Sequence, residues 1–197
     1  MRSAAKLFAR RGLDGASIDE VAADAGFTKG AFYANFSSKE ELFLAMLDER
    51  FADRLADVER IAAGGDDVEE QAREVGVDFA RNLAGDPDWQ RLFFEFATRA
   101  MRHEPFRAEL VQRYRELRTG IAELFERRLA ELGVQSTVSP ATLALMTFAM
   151  ANGFALERML EPEDAPEDLF GDMLVLIFAG VRALAVEAPP FGAASHS

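Results

Sequence analysis

Between Ser17 and Glu41, two helix-start signatures, Ser17-Ile18-Asp19-Glu20 and Ser38-Lys39-Glu40-Glu41, bracket a segment too short to hold a helix by itself. In each, the serine hydroxyl and the glutamate three residues on satisfy free amides at the start of a helix. Ile18, Val21, Ala22 and Ala25 then form one apolar stripe that ends at Gly26. Thr28 caps a third helix in which Phe32 and Phe36 point inwards one turn apart. Lys29, Gly30, Tyr33, Ala34 and Asn35 fall elsewhere on its circumference. So short a helix must be braced by its neighbours, because nucleation costs more than a few turns return. Upstream, Met1, Ala4, Ala5 and Phe8 recur at helical spacing before a stop at Gly12; downstream, Leu42, Phe43, Met46 and Leu47 open a long fourth helix reaching about Ala63. Two helices around a glycine turn, the second one stubby, make a helix-turn-helix.

Beyond Leu47 the chain changes character. Gly64-Gly65-Asp66-Asp67 breaks it, and Asp67 with Glu70 restarts a helix through Val75, Phe79 and Leu83. Asp86-Pro87, Glu104-Pro105 and Ser139-Pro140 each set a cap before a proline at the first helical position, and Ala165-Pro166 opens a last helix in the same way. Apolar spacing is helical throughout, with no useful period-two run, so the expected fold class is all-α. The expected organisation is a head at 1–47, a larger helical body at 48–188 and a frayed tail at 189–197. No apolar run has the length of a membrane helix, no Cys is present, and the start lacks a signal-peptide core, so a cytoplasmic protein with no membrane partner is expected.

The net charge of −12 argues against a nucleic-acid partner until its distribution is considered. Residues 1–47 hold Arg2, Lys6, Arg10, Arg11, Lys29 and Lys39 against Asp14, Asp19, Glu20, Asp24, Glu40 and Glu41, so the whole excess lies in the body. All three lysines of the chain, Lys6, Lys29 and Lys39, also sit in this neutral quarter. The second helix of a helix-turn-helix is presented to the DNA major groove. There Gly30 and Ala34 would let the backbone approach, while Lys29, Tyr33 and Asn35 supply donors of different length. A three-helix head that exists only to pack is the alternative.

The segment AAKLFARRGLDGASIDEVAADAGFTKGAFYANFSSKEELFLAML, Ala4 to Leu47, closely resembles the DNA-binding head of TetR-family transcriptional regulators. The resemblance implies a one-component regulator: a homodimer whose heads bind a palindromic double-stranded operator and whose bodies bind a small apolar or amphipathic effector that releases it, with repression as the usual effect. It places Ser17, Thr28, Lys29, Tyr33 and Lys39 at positions that commonly touch phosphates, and Gly30, Ala31 and Asn35 at or near base edges. Asn35 stands where histidine is commoner in the family. The resemblance also implies a stretch, often basic, ahead of the first helix; either a start lies upstream of Met1, or the short version is real and phosphate binding is weaker and leans on Lys6, Lys29 and Lys39.

In the body, FFEFATRAMRHEPFRAELVQRYRELR, Phe93 to Arg118, resembles the subgroup similar to the betaine-pathway repressor. Phe is used 17 times against 2 Tyr and 1 Trp, which suits either an adaptable apolar pocket or an ordinary core. The pocket candidates are Phe79, Phe93, Phe96, Tyr114, Met146, Met150 and Asn152, the last because a lone amide on an apolar helix needs a partner, in a pocket or at an interface. The final two helices are apolar over more than one face and carry Ala144, Ala149, Ala151, Gly153, Ala179 and Gly180, which permit close approach. They suit a four-helix dimer interface, or a buried hairpin in a monomer. No cofactor or metal is expected: His103 lies among charged residues and His196 in the tail, without ligand spacing or a nucleophile partner. A helical ligand carrier or enzyme is the reading from a different class.

Overall fold

The computed structural model describes every residue except Met1, Ala25, Phe27, Asp66 and 186–197, and of Arg2, Ser3, Ala9, Leu13 and Asp14 it describes the backbone alone. The expected tail, and the places of Met1 and Ala25 on their helices, thus lie outside the described residues. Nine helices and no strand occur among those described, as the uniform helical spacing requires. They are α1 (Arg2–Gly15), α2 (Ile18–Asp24), α3 (Lys29–Tyr33), α4 (Lys39–Ala62), α5 (Val68–Gly85), α6 (Pro87–Ala100), α7 (Glu104–Glu131), α8 (Pro140–Leu160) and α9 (Leu169–Ala183).

Local chemistry accounts for most of these boundaries. Gly12 breaks α1 at φ 69° and ψ 169°, a conformation that favours glycine, and the helix resumes for one turn afterwards. Ser17 caps α2 with the full reciprocal pair: its Oγ accepts from the Glu20 amide at 3.2 Å, and Glu20 Oε2 accepts from the Ser17 amide at 3.0 Å. The second box is altered. Ser38 Oγ accepts from the Glu41 amide at 3.1 Å, but Glu41 reaches back to the amide and hydroxyl of Ser37. Asp67, Asp86 and Ser139 cap α5, α6 and α8 as expected.

Two expected starts are moved. At α7 the cap is His103, whose Nδ1 accepts from the Phe106 amide at 3.4 Å, so Glu104 is the first helical residue and Pro105 the second. At the last helix, Pro166 belongs to a turn and α9 begins three residues later without a side-chain cap.

The expected end of the head at Leu47 falls inside α4, which runs unbroken to Ala62. Head and body also share a core. Phe8 of α1, Phe43 and Leu47 of α4, and Leu92 and Phe96 of α6 are all sealed from solvent and belong to one cluster. The rings of Phe43 and Phe96 stack at 3.5 Å between centroids. A second cluster joins α5, α8 and α9, and a third joins α7 to α8 and α9. The tightest crossing is α5 on α9, where Gly76 meets Gly171 backbone to backbone. No helix among the described residues is long and apolar enough to cross a membrane.

Candidate functional site

The glycine turn predicted between α2 and α3 is present, with Gly26 at φ 75°. Phe32 is buried beneath α3, its ring set edge-on to Tyr33 and tilted against Phe36. This contact holds a five-residue helix that has no stability alone. Its outer side then carries Thr28, Lys29, Gly30, Tyr33, Ala34 and Asn35, all exposed, with Tyr33 at 49%. Ala31 and Lys39 are half-buried and Ser17 is exposed. All eight residues expected at a DNA surface are therefore in the head, and none is sealed.

Several of these side chains are already engaged. Thr28 Oγ1 accepts from the Ala31 amide at 3.1 Å, leaving its own proton to donate. Asn35 Nδ2 donates to the Ala31 carbonyl at 2.9 Å, folding the amide back along α3. Lys39 Nζ donates to the Ala16 carbonyl at 2.9 Å, tying the start of α4 to the end of α1. Lys29 Nζ lies 2.9 Å from Asp19 of α2, and the carboxylate holds the ammonium above its ordinary range by hydrogen bond and charge. Ser17 holds Glu20 below the usual carboxylate range through its amide and hydroxyl, with help from Arg11, and Ser37 does the same for Glu41.

A cavity of about 650 Å³ opens in the body, walled by residues of α4 to α9. Of the seven pocket candidates, Phe79, Phe93 and Asn152 line it. The other four do not. Phe96 is fully buried in the core shared with the head, and Tyr114 packs its ring against Phe93 and Phe148 without reaching the lining. Met146 is 44% exposed on α8, and Met150 packs against the α5–α8–α9 cluster. Asn152 finds its partner on its own helix, donating to the Phe148 carbonyl at 3.0 Å.

The lining residues missed in the sequence include Trp89 and the α4 pair Arg50 and Arg54. Their signal was present: Trp89 is the sole tryptophan, and two arginines four apart share one helix face. Arg50 lies over the Trp89 ring at 4.7 Å and pairs with Asp86; Arg54 lies over Phe79 at 5.1 Å and pairs with Asp78. Among the described residues no cluster of His, Cys, Asp and Glu suits a metal ion.

The fold has counterparts among known proteins. Residues 1–46 match the family model for bacterial regulatory proteins of the tetR family, and residues 68–174 match that for the C-terminal part of BetI-type transcriptional repressors. The HTH-type transcriptional repressor SCO4008 of Streptomyces coelicolor is 32% identical over 150 residues, 74% of this chain and 70% of that one. The HTH-type regulator YerO of Bacillus subtilis is 30% identical over 82 residues, 40% of this chain; the match spans only 28% of YerO and, for the regulator YuxN of the same organism, 23%. The solved structure of Salmonella enterica GusR superposes with a TM-score of 0.76 at 21% identity, covering 92% of each chain. The chain belongs to the TetR family of helix-turn-helix transcriptional regulators, which are not enzymes.

Proposed function

We propose that this chain is an operator-binding repressor that works as a homodimer and is released by a small effector held in the body cavity. The observation that carries this reading is the aromatic path from cavity to head. Trp89, in the cavity wall, stacks on Phe43 of α4 at 5.6 Å and 19°; Phe43 stacks on Phe96, and Phe96 meets Phe8 of α1 edge-on at 6.4 Å. Close-packed rings do not compress, so a ligand that displaces Trp89 must shift α4 relative to α1. Phe32 of α3 belongs to the same core cluster as these rings, and α3 itself packs on α2.

Pairing of two copies is supported by six large apolar side chains left exposed on or beside α8 and α9: Leu145, Met146, Leu156, Leu160, Leu176 and Leu184. Gly153 and Gly180, in the same two helices, have open space above them, which favours close helix approach. In such a dimer the two α3 helices enter successive major grooves ~34–36 Å apart, and a few ångströms of α4 movement spoils that fit. Ser17, Thr28, Lys29, Tyr33 and Lys39 then serve phosphates, and Gly30, Ala31 and Asn35 face base edges. Repression is supported by the name of SCO4008, a repressor similar over most of this chain.

Selection of bound duplexes from a random DNA library tests the whole scheme. A palindrome with half-sites one helical turn apart is expected; recovery of no sequence, or of a single unrepeated half-site, refutes it.

A further inference from the structure

If the cavity is the effector site, as proposed above, its polar atoms define the class of molecule it takes. Three guanidiniums line it, and each has a carboxylate partner: Arg50 with Asp86, Arg54 with Asp78, and Arg128 with Glu131 at 2.7 Å. Arg54 also donates to the Val75 carbonyl at 3.0 Å, and Arg128 to the Gly65 carbonyl at 3.1 Å and to Gln71 Oε1. Two further carboxylates line the same space: Asp57, paired with Arg60, and Asp53, which is exposed to water. An anion entering here meets cations that already have carboxylate partners and, at Asp53, a further negative charge. A cation meets guanidiniums, with a solvated carboxylate as its best partner. Either ion gives up hydration that this wall does not restore.

The rest of the lining is mostly apolar, with aromatic rings from every wall, Phe51, Phe79, Trp89, Phe125, Phe148 and Phe170 among them. Gln71, Asn82, Gln90 and Asn152 add side-chain amides to it, and two further polar atoms stand apart from these. Among the described residues, Arg128 Nε and Thr147 Oγ1 are the buried side-chain polar atoms that lack a hydrogen-bond partner, and both residues line the cavity. The arginine Nε can only donate, and a threonine hydroxyl donates as readily as it accepts, so one acceptor chemistry suits both. A threonine hydroxyl re-aims by one staggered step about χ1. Buried donors without partners are rare in native proteins and point to a group supplied from outside.

We infer that the effector is an uncharged, largely apolar molecule bearing a carbonyl-type oxygen, received by the re-aimed hydroxyl of Thr147.

Quenching or shift of Trp89 fluorescence in the full chain tests this, since no other tryptophan contributes. The probes are decan-2-one, decanoate and decylammonium, matched in chain length. The ketone is expected to bind about tenfold tighter than either ion. Thr147→Val should weaken the ketone about fivefold while Thr147→Ser restores it, the scale of one hydrogen bond; circular dichroism melts confirm that both variants fold. Tighter binding of decanoate or decylammonium overturns the uncharged class, and equal ketone affinity in the Val and Ser variants overturns the acceptor assignment. Release of the selected operator fragment is followed in parallel. Ketone binding without release supports the ligand class and removes the regulatory reading, whereas a Trp89 signal silent to all three probes overturns both.

Discussion

Replacing Gly76 by alanine adds one methyl group where α5 and α9 touch through their backbones. A Cβ there would lie 3.0 Å from the Phe170 carbonyl carbon and closer still to Gly171 N and Cα. Backbone atoms cannot rotate aside, so the two helices must part. The converse contact is similar: a Cβ on Gly171 would come within 2.8 Å of Arg73 Cα. Alanine gains about 1 kcal/mol over glycine in a helix interior. Overpacking costs about 1–3 kcal/mol, and a rigid backbone obstacle belongs at the upper end of that range. The expected net loss is about 2 kcal/mol, which for a chain of this size lowers the melting temperature by roughly 4–8 °C. Gly85→Ala is the control, because its Cβ meets nothing within 4 Å. Thermal melts by circular dichroism on the two variants decide the matter. Should Gly76→Ala melt at or above the unmodified chain, as Gly85→Ala should, the helices do not cross as closely as described and the reasoning fails.

Asp19→Asn should free Lys29 from its ion pair, raising operator affinity and steepening the salt dependence by about one counterion in titrations at several salt concentrations; unchanged slope means Lys29 does not reach a phosphate. Gly30→Ala has room within the head, its nearest neighbour being Thr28 Oγ1 at 3.8 Å, so it should keep the melting temperature yet weaken DNA binding by tenfold or more, and unaltered binding would place that surface away from the groove. Tyr114 is pushed up to about 12 by burial. Its neutral form is thus favoured in the folded state: the stability it confers is intact below pH 10, the ordinary value, and is lost as pH rises towards 12. Urea midpoints should fall by about 1 kcal/mol of stability near pH 11, and Tyr114→Phe should remove that decline.

The head was legible because its determinants are local. Ser17 and Glu20 meet across three residues, Thr28 caps the helix it precedes, and Gly26 supplies the positive φ of the turn. None of these requires knowledge of a distant partner. The body was harder for the opposite reason. Phe93 and Phe96 share one face of α6, so periodicity marks both as inward without saying which neighbour each meets. Phe93 reaches the cavity, whereas Phe96 stacks on Phe43 from the head, since α6 spans both. Helical spacing likewise marked Met146 as apolar but could not show that it is left 44% exposed among the described residues. Gly76 and Gly171 stand out as glycines within helices, yet the crossing they permit is visible only in three dimensions.

The unit sealed by Phe8, Phe43, Leu92 and Phe96 has a bearing on protein engineering. Chimeric regulators are often planned by cutting after the recognition module and grafting it onto a different sensor. Here such a cut would strip the graft of Leu92 and Phe96, half of its floor, and confront it with foreign side chains. A workable hybrid must carry the inward face of α6 along with the first 47 residues, or redesign both sides of that seam together.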